Sequence, residues 1–274
     1  MTTITIIGSG DTLGTPIVGC KQEACLDNDP KSNRYRFGLL IEHENIKILV
    51  DTNPDLKWQC IDNNFKLKEI DYILLTHTHS DHINGMGEFF YRRKFPTVVY
   101  HLDNSLIEKH IDYFRYLERE GVLSFKSYKN NKSFLIGQIK ITPIKLDHSF
   151  PCSGFVIEIE NKKISIISDT SLNIPLKSKD LLNNSDILFA DTFSENIEQI
   201  KNVYIDCNES VPKNLTKNWF HMTISDVKKL IKEIKSKKTY TVHMSRYMLP
   251  HNKLVSKYGE SNFIIGYDGL KIKL

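Results

Sequence analysis

The sequence predicts an α/β fold, and three observations carry that reading. Short β-branched runs bounded by turn residues recur along the chain, amphipathic helical stripes lie between them, and strands return at the end. The first half holds "TITIIG", "FGLLIE", "IKILVD" and "YILLT", with "HENI" fitting a hairpin connection between the second and third. Helical patterns follow at roughly 82–93 and 103–119, the latter with Ile107, Ile111, Phe114 and Leu117 on one stripe. "SFLI", "QIKITPIKL", "GFVIEIE" and "KISIISD" read as further strands. Near the end come "DILFAD", a long loop, a helix over about 223–235, and the strands "TYTVHM", "NFIIG" and "LKIKL". Two sheets packed face to face with helices outside satisfy this order, as do other α/β layouts.

No repeat, low-complexity block or Pro/Gly/Ser-rich linker interrupts the 274 residues, so 1–274 is read as one domain. A formal charge of +4 permits an anionic substrate or nucleic acid without demanding either. Cys20, Cys25, Cys60, Cys152 and Cys207 form an odd, scattered set, which argues against a secreted disulfide framework. "MTTITIIGSG" lacks the basic region and apolar core of a signal peptide. No apolar stretch reaches the ~18 residues needed to span a bilayer. The expectation is a soluble cytoplasmic protein with no membrane partner; a homodimer is left open. On the late helix, Ile224, Val227, Leu230, Ile231 and Ile234 form a core stripe, and its lysines read as a solvated face rather than an RNA surface.

"LLTHTHSDHING", residues 74–85, crowds three histidines and an aspartate where a strand is ending. Such groups are costly together unless something binds them. His77 and His79, two apart, leave an extended backbone on the same side. Asp81 and His82 follow where the chain turns into a helix. Imidazole and carboxylate suit Zn²⁺, Mn²⁺ or Fe²⁺, and four candidate ligands in six positions favour two ions sharing the loop. Three later strand ends supply more: His148 after "PIKLD", Asp169 after "ISIIS" and His243 after "YTV".

"THTHSDH" with these later residues resembles the metallo-β-lactamase superfamily of hydrolases. The resemblance implies a four-layer αββα sandwich with the site at one edge of the paired sheets. It assigns His77, His79 and His148 to one metal, Asp81, His82 and His243 to the other, and Asp169 as the bridge. Ser80 stands where members with redox-active di-iron carry an acid, which favours hydrolysis. "GSGDTLGTPIVGC", "NRYR", "ILVDTNPDLKWQ", "HMTISDV" and "GYDGLKI" resemble the PhnP branch of phosphodiesterases, and several of these features are shared with tRNase Z.

That likeness implies hydrolysis of a small cyclic or nucleotide-like phosphodiester by a hydroxide held between two divalent ions, Zn²⁺ or Mn²⁺. Such a centre is net positive and suits an anionic transition state. His221 is the candidate general acid, its ordinary pKa near 6.5 suiting proton donation at neutrality. Asp81 is counted with it as catalytic. Asp51 matches an aspartate that orients a metal-binding histidine. Ser9, Gly10 and Asp11 are placed at the site rim, where backbone N–H groups could approach phosphate. Thr223 and Asp226 read as a helix cap.

One departure stands out. PhnP-like proteins often bind a structural zinc through three cysteines and a histidine. Here Cys20 and Cys25 remain, but Gln22 and Arg246 replace the other two ligands, so no such zinc is expected. Arg246 is left to pair with an acid or to approach substrate. His43, His101, His110 and His251 show no partner pattern and are expected at the surface. The tRNA 3′-processing alternative lacks a glycine- and proline-rich arm here. A non-catalytic metal- or ligand-binding role and thioester or lactone hydrolysis are the remaining readings.

Overall fold

In the computed structural model, residues 1–90, 94–206, 210–211 and 219–274 are described. Their strands are β1 (Thr2–Gly8), β2 (Gly38–His43), β3 (Ile46–Val50), β4 (Tyr72–Leu74), β5 (Thr97–Leu102), β6 (Leu123–Tyr128), β7 (Phe134–Ile136), β8 (Ile139–Lys145), β9 (Ser153–Ile159), β10 (Lys162–Ile167), β11 (Ile187–Asp191), β12 (Thr239–Val242), β13 (Phe263–Ile264) and β14 (Leu270–Lys273). The helices are α1 (Leu56–Asn63), α2 (Ser80–Ile83), α3 (Ser105–Asp112), α4 (Arg115–Arg119), α5 (Leu176–Leu182), α6 (Ile197–Asp206), α7 (Ile224–Ile234) and α8 (His251–Tyr258).

Two sheets of seven strands result, ordered β14-β1-β2-β3-β4-β5-β6 and β13-β12-β11-β10-β9-β8-β7. Each joins an antiparallel half to a parallel half. In the first, β14 to β3 pair antiparallel and β3 to β6 parallel. In the second, β7 to β10 pair antiparallel and β10 to β13 parallel. Strands β8, β10, β11 and β12 therefore run the same way, and their C-terminal ends share one edge. Crevices beyond such ends are where ligands bind in open α/β sheets.

Side-chain alternation builds the layers. Ile4, Ile6, Leu39, Ile41, Ile48 and Val50 meet Phe155, Ile157, Ile164, Ile166, Phe189 and Val242 between the sheets. Their neighbours Ile7, Leu40 and Leu49 face outward onto Leu56 of α1 and Ile107 and Ile111 of α3. On the other side Ile167, Leu188 and Ala190 pack under Ile224, Val227, Leu230 and Ile234 of α7. Strands buried on both faces need continuous apolar runs, which is why "ILFA" does not alternate. Each such Ile or Leu contributes roughly 1.5–3 kcal/mol of burial. The fold is the αββα sandwich of the metallo-β-lactamase type.

The structure departs from the expected elements in several places. β5 and β6 were not among the expected strands; β6 carries Ser124, Lys126 and Ser127 and closes the sheet at its edge, where only its two end positions are buried. The 82–93 helix is instead α2 with a 3₁₀ turn over Asn84–Glu88, and residues 91–93 lie outside the described residues. Gly85 forces the close turn, because a Cβ there would sit 2.0 Å from the carbonyl oxygen of Asn53. The 103–119 pattern is broken into α3 and α4, though Ile107, Ile111, Phe114 and Leu117 are all buried as expected. The expected loop after β11 holds α6. Thr223 and Asp226 do form a reciprocal capping box on α7: each backbone N–H donates to the other's side chain.

Three of the four histidines expected at the surface are buried: His43, His101 and His251. A neutral imidazole is easily buried once a partner is near, as Thr2 Oγ1 is for His43 at 2.8 Å. His110 is exposed, as expected. Cys20 and Cys25 are joined as a disulfide, a local bridge rather than a framework, and Cys60 and Cys152 are free. Cys207 lies outside the described residues. Among the described residues no helix is long and apolar enough to cross a membrane.

Candidate metal centre

Every expected ligand sits just past a strand end. Thr76 leads from β4 into His77 and His79, still extended, and Asp81 and His82 open α2. His148 follows β8, Asp169 follows β10 and His243 follows β12. Asp51, Asp169 and His243 each adopt a left-handed backbone, with φ of 62°, 56° and 55°. That conformation costs a non-glycine residue on the order of 1 kcal/mol. Here it stops the strand and turns the next side chain into the edge.

The ring nitrogens converge in two sets. His79 Nδ1 lies 2.9 Å from His77 Nε2 and 3.1 Å from His148 Nε2. His82 Nε2 lies 3.1 Å from Asp81 Oδ2, and His243 Nε2 lies 3.8 Å from that same oxygen. Asp169 joins the sets. Its Oδ2 is 3.8 Å from both His77 and His148, and its Oδ1 is 3.3 Å from His82 and 3.1 Å from His243. Ligands at about 2.0–2.1 Å around a tetrahedral ion lie roughly 3.3 Å apart, so these spacings bracket what a metal requires.

The donor set fits divalent cations on a further ground. His82 Nε2 and His243 Nε2 are buried without a hydrogen-bond partner. His77 Nε2 and His148 Nε2 both lie within 3.1 Å of His79 Nδ1, so three ring nitrogens, the usual donors to a divalent cation, meet at one point. Asp51 completes His82: its Oδ2 is 2.7 Å from Nδ1, while its two oxygens also accept from the N–H and hydroxyl of Thr76 at 2.8 Å. That bond holds the His82 proton on Nδ1 and leaves Nε2 for the site.

Electrostatics divide the two sets. Burial, reinforced by the neighbouring His82, holds His77 well below the ordinary imidazole range. Burial likewise pushes His148 down to about 3. Neutral imidazoles are ready ligands. Asp169 is buried, which alone would raise it, but His243 and His82 hold it well below the usual carboxylate range. His82 is raised well above its ordinary value, because Asp169, Asp81 and Asp51 outweigh its burial. His243 is raised to about 9 against its own burial, chiefly by Asp169. In that set, protons and a cation compete for the same nitrogens.

His221 stands beside this centre, its ring 5.0 Å from His243 and nearly parallel to it, and 5.5 Å from His148. Its Nδ1 bonds Asp191 Oδ2 at 2.7 Å, so Nε2 is the ring nitrogen not engaged by that carboxylate. Asp191, wholly buried at the end of β11, was missed in the sequence. It shows the signal that marked Asp51 and Asp169, a carboxylate terminating an apolar strand. Phe150, 5.2 Å from His79, and Phe220, 6.1 Å from His148, flank the histidines.

The rim residues are arranged otherwise than expected. Ser9 is wholly buried, and its N–H and hydroxyl both donate to Asp268 at 2.7 Å. Gly10 N–H donates to Tyr35 O and Asp11 N–H to Met244 O. The amides of Ser9, Gly10 and Asp11 are thus engaged within the protein and are not open to phosphate. Glycine is needed at position 10 for packing, since a Cβ would lie 2.9 Å from Tyr35 O. Arg246 takes the acid-pairing option: its guanidinium meets Asp206 at 3.2 Å and lies over the Tyr247 ring.

An αββα sandwich with histidine–aspartate sets gathered at its strand-end edge is the arrangement of the metallo-β-lactamase fold, with clusters that could hold metal. The chain belongs to the family described as "Beta-lactamase superfamily domain", whose model matches residues 47–244, a span containing every candidate ligand. It is a hydrolase of that superfamily, whose members bind divalent metals. Ribonuclease Z of Borrelia duttonii (strain Ly) is 25% identical over 302 residues, covering 89% of this chain and 93% of that protein. The crystal structure of a diphosphatase from the PhnP family superposes with a TM-score of 0.81 at 25% identity, covering 100% of this chain and 98% of the other. An octanoyltransferase of Porphyromonas gingivalis (strain ATCC BAA-308 / W83) is 26% identical over 160 residues, 56% of this chain; the match spans about a third of that relative, 32%.

Proposed function

We propose that the chain is a metal-dependent phosphodiesterase acting on a small cyclic or nucleotide-like phosphodiester. His77, His79 and His148 would hold one divalent cation, Asp81, His82 and His243 the other, with Asp169 between them. Zn²⁺ and Mn²⁺ both suit this nitrogen and oxygen set. Two such cations supply Lewis acidity and lower the pKa of bound water towards ~7. Asp81 is read as a ligand that also orients the nucleophilic water, and Asp51 as the group that keeps His82 in register.

The observation that supports the phosphodiester reading is the Asp191–His221 pair beside the ligand sets. An alkoxide leaving from phosphorus needs a proton, and in this reading His221 Nε2 would give it. Asp191, accepting from Nδ1, stabilises the imidazolium that does so. The likeness to a PhnP-family diphosphatase leans the same way. The test is His221→Ala assayed on two diesters. Turnover should fall on a substrate with a poor leaving group and hold on bis-p-nitrophenyl phosphate, whose leaving group needs no proton. Equal losses on both would remove the acid role.

A second reading, tRNA 3′-end processing, is favoured by the near full-length match to Ribonuclease Z. A panel of cyclic nucleotides, cyclic ribose phosphates and precursor tRNA, run with Mn²⁺ or Zn²⁺, ranks the two. Faster cleavage of precursor tRNA would reverse the order.

A further inference from the structure

His148 lacks the brace that other candidate ligands have. His82 Nδ1 meets Asp51 Oδ2 at 2.7 Å, and His77 Nδ1 lies 3.0 Å from the Thr76 hydroxyl. Among the described residues, His148 Nδ1 is buried without a hydrogen-bond partner. Ligating histidines are ordinarily held through their second ring nitrogen, so something else must fix this ring. A strand ladder does not. His148 follows β8 and Asp169 follows β10, and β9 lies between those strands. Both residues stand beyond the last paired positions, Lys145 and Ile166, yet His148 Nε2 lies 3.8 Å from Asp169 Oδ2.

Residues beside each ligand reach across instead. Asp147 N–H donates to Thr170 Oγ1 at 3.2 Å, and Ser171 N–H donates to Asp147 O at 3.0 Å. The Ser171 hydroxyl donates to Asp147 Oδ2. Ser171 Oγ also accepts from Asn173 N–H at 3.0 Å, which leaves its own proton for that carboxylate. A hydroxyl donating to a carboxylate is among the stronger hydrogen bonds. Ser171 is 5% exposed, so water competes little for this one.

We propose, on the two-cation reading given above, that the Asp147–Ser171 clasp positions His148 and so sets the affinity of the cation site it shares with His77 and His79. Asp147 and Ser171 are positioning residues, outside both ligand sets. Without the clasp, the tail of β8 loses its side-chain hold on the 169–171 segment. His148, with no bond on its second ring nitrogen, then drifts from the point where His77 and His79 meet. Asp169 keeps its own holds: the Ser168 hydroxyl donates to its Oδ1 at 2.6 Å, and the next N–H, of Thr170, donates to Asp191 Oδ2 at 2.9 Å. The loss therefore falls on one cation site. The other, with His82 braced by Asp51, keeps its geometry.

Zn²⁺ uptake by the metal-depleted, full-length protein, in competition with graded chelators, tests the clasp. Wild type should show two binding events, and His148→Ala identifies the one that involves His148. Ser171→Ala should weaken that event about tenfold or more and leave the other within about threefold. Asp147→Ala, which keeps both backbone bonds, should do the same and decides the matter should Ser171→Ala fail to fold. Asp147→Asn retains an oxygen that accepts from Ser171 and should keep most of the affinity. In the His148→Ala background, Ser171→Ala should leave the remaining event unchanged. Equal weakening of both events, no weakening in a folded variant, or an Asp147→Asn as weak as Asp147→Ala would overturn the clasp. A wild type that takes up fewer than two cations would instead remove the two-cation reading, and the clasp's role with it. Turnover does not enter the readout.

Discussion

Nδ1 of His221 donates to Oδ2 of Asp191 at 2.7 Å, across 30 residues of sequence. The other Asp191 oxygen lies 3.9 Å from Nδ1 of His243. A wholly buried carboxylate in contact with both rings fixes the orientation of His221.

Asp191→Asn should therefore lower kcat about 10²-fold on diesters with poor leaving groups and much less on activated ones. A uniform loss on both substrates would reduce Asp191 to a structural role.

Asp51→Ala should leave the fold's edge in place but free His82 to rotate. Metal affinity is expected to fall about 10–100-fold, as for other partners of ligating histidines. Competition with a graded series of chelators measures this. Unchanged affinity would show that the 2.7 Å contact does not matter for binding.

Metal loading should release protons. His82 is raised well above its ordinary value and His243 to about 9, both by facing carboxylates, so near neutrality the metal-free protein carries protons on both. A cation must displace them. Apparent affinity should then rise with pH through about 9, where His243 loses its proton. Titrations in buffers of different ionisation enthalpy should count roughly two protons released at neutral pH; a count near zero contradicts the assignment.

Acid should weaken the fold partly through His251. Burial, with Arg34 adding its charge, lowers this imidazole to about 4, against about 6.5 in an unfolded chain. Its folded value is depressed, so its contribution is whole above about 6.5 and is lost as pH falls towards 4. His251→Gln, which cannot titrate, should lose less stability between pH 7 and pH 4 in urea unfolding. An equal loss in both proteins would exclude this histidine as a cause.

Much of the site was legible before any coordinates. His77, His79, Asp81 and His82 are packed into one local motif, and His148, Asp169 and His243 each terminate an apolar run. Such signals are short-range, written in spacing and in the change from apolar to polar. Most central strands and α7 were readable for the same reason, since burial imposes a period of two or a stripe of 3.6, though β5 was not expected. Edge strand β6 was not, because solvent on its outer side removes the pattern. Burial of His43, His101 and His251 was also hidden, for it depends on partners remote in the chain.

The amino-acid order alone thus marked most inner strands, though not β5, and the candidate ligands, while the sandwich itself was implied by the family resemblance. Only the tertiary structure decided that Asp169 offers one oxygen to each histidine set and that Asp191 rather than a neighbour holds His221. These facts turn on the relative direction of strands and on which side chain a fold seals from water. Pairing between distant segments creates them, and no local pattern encodes that pairing.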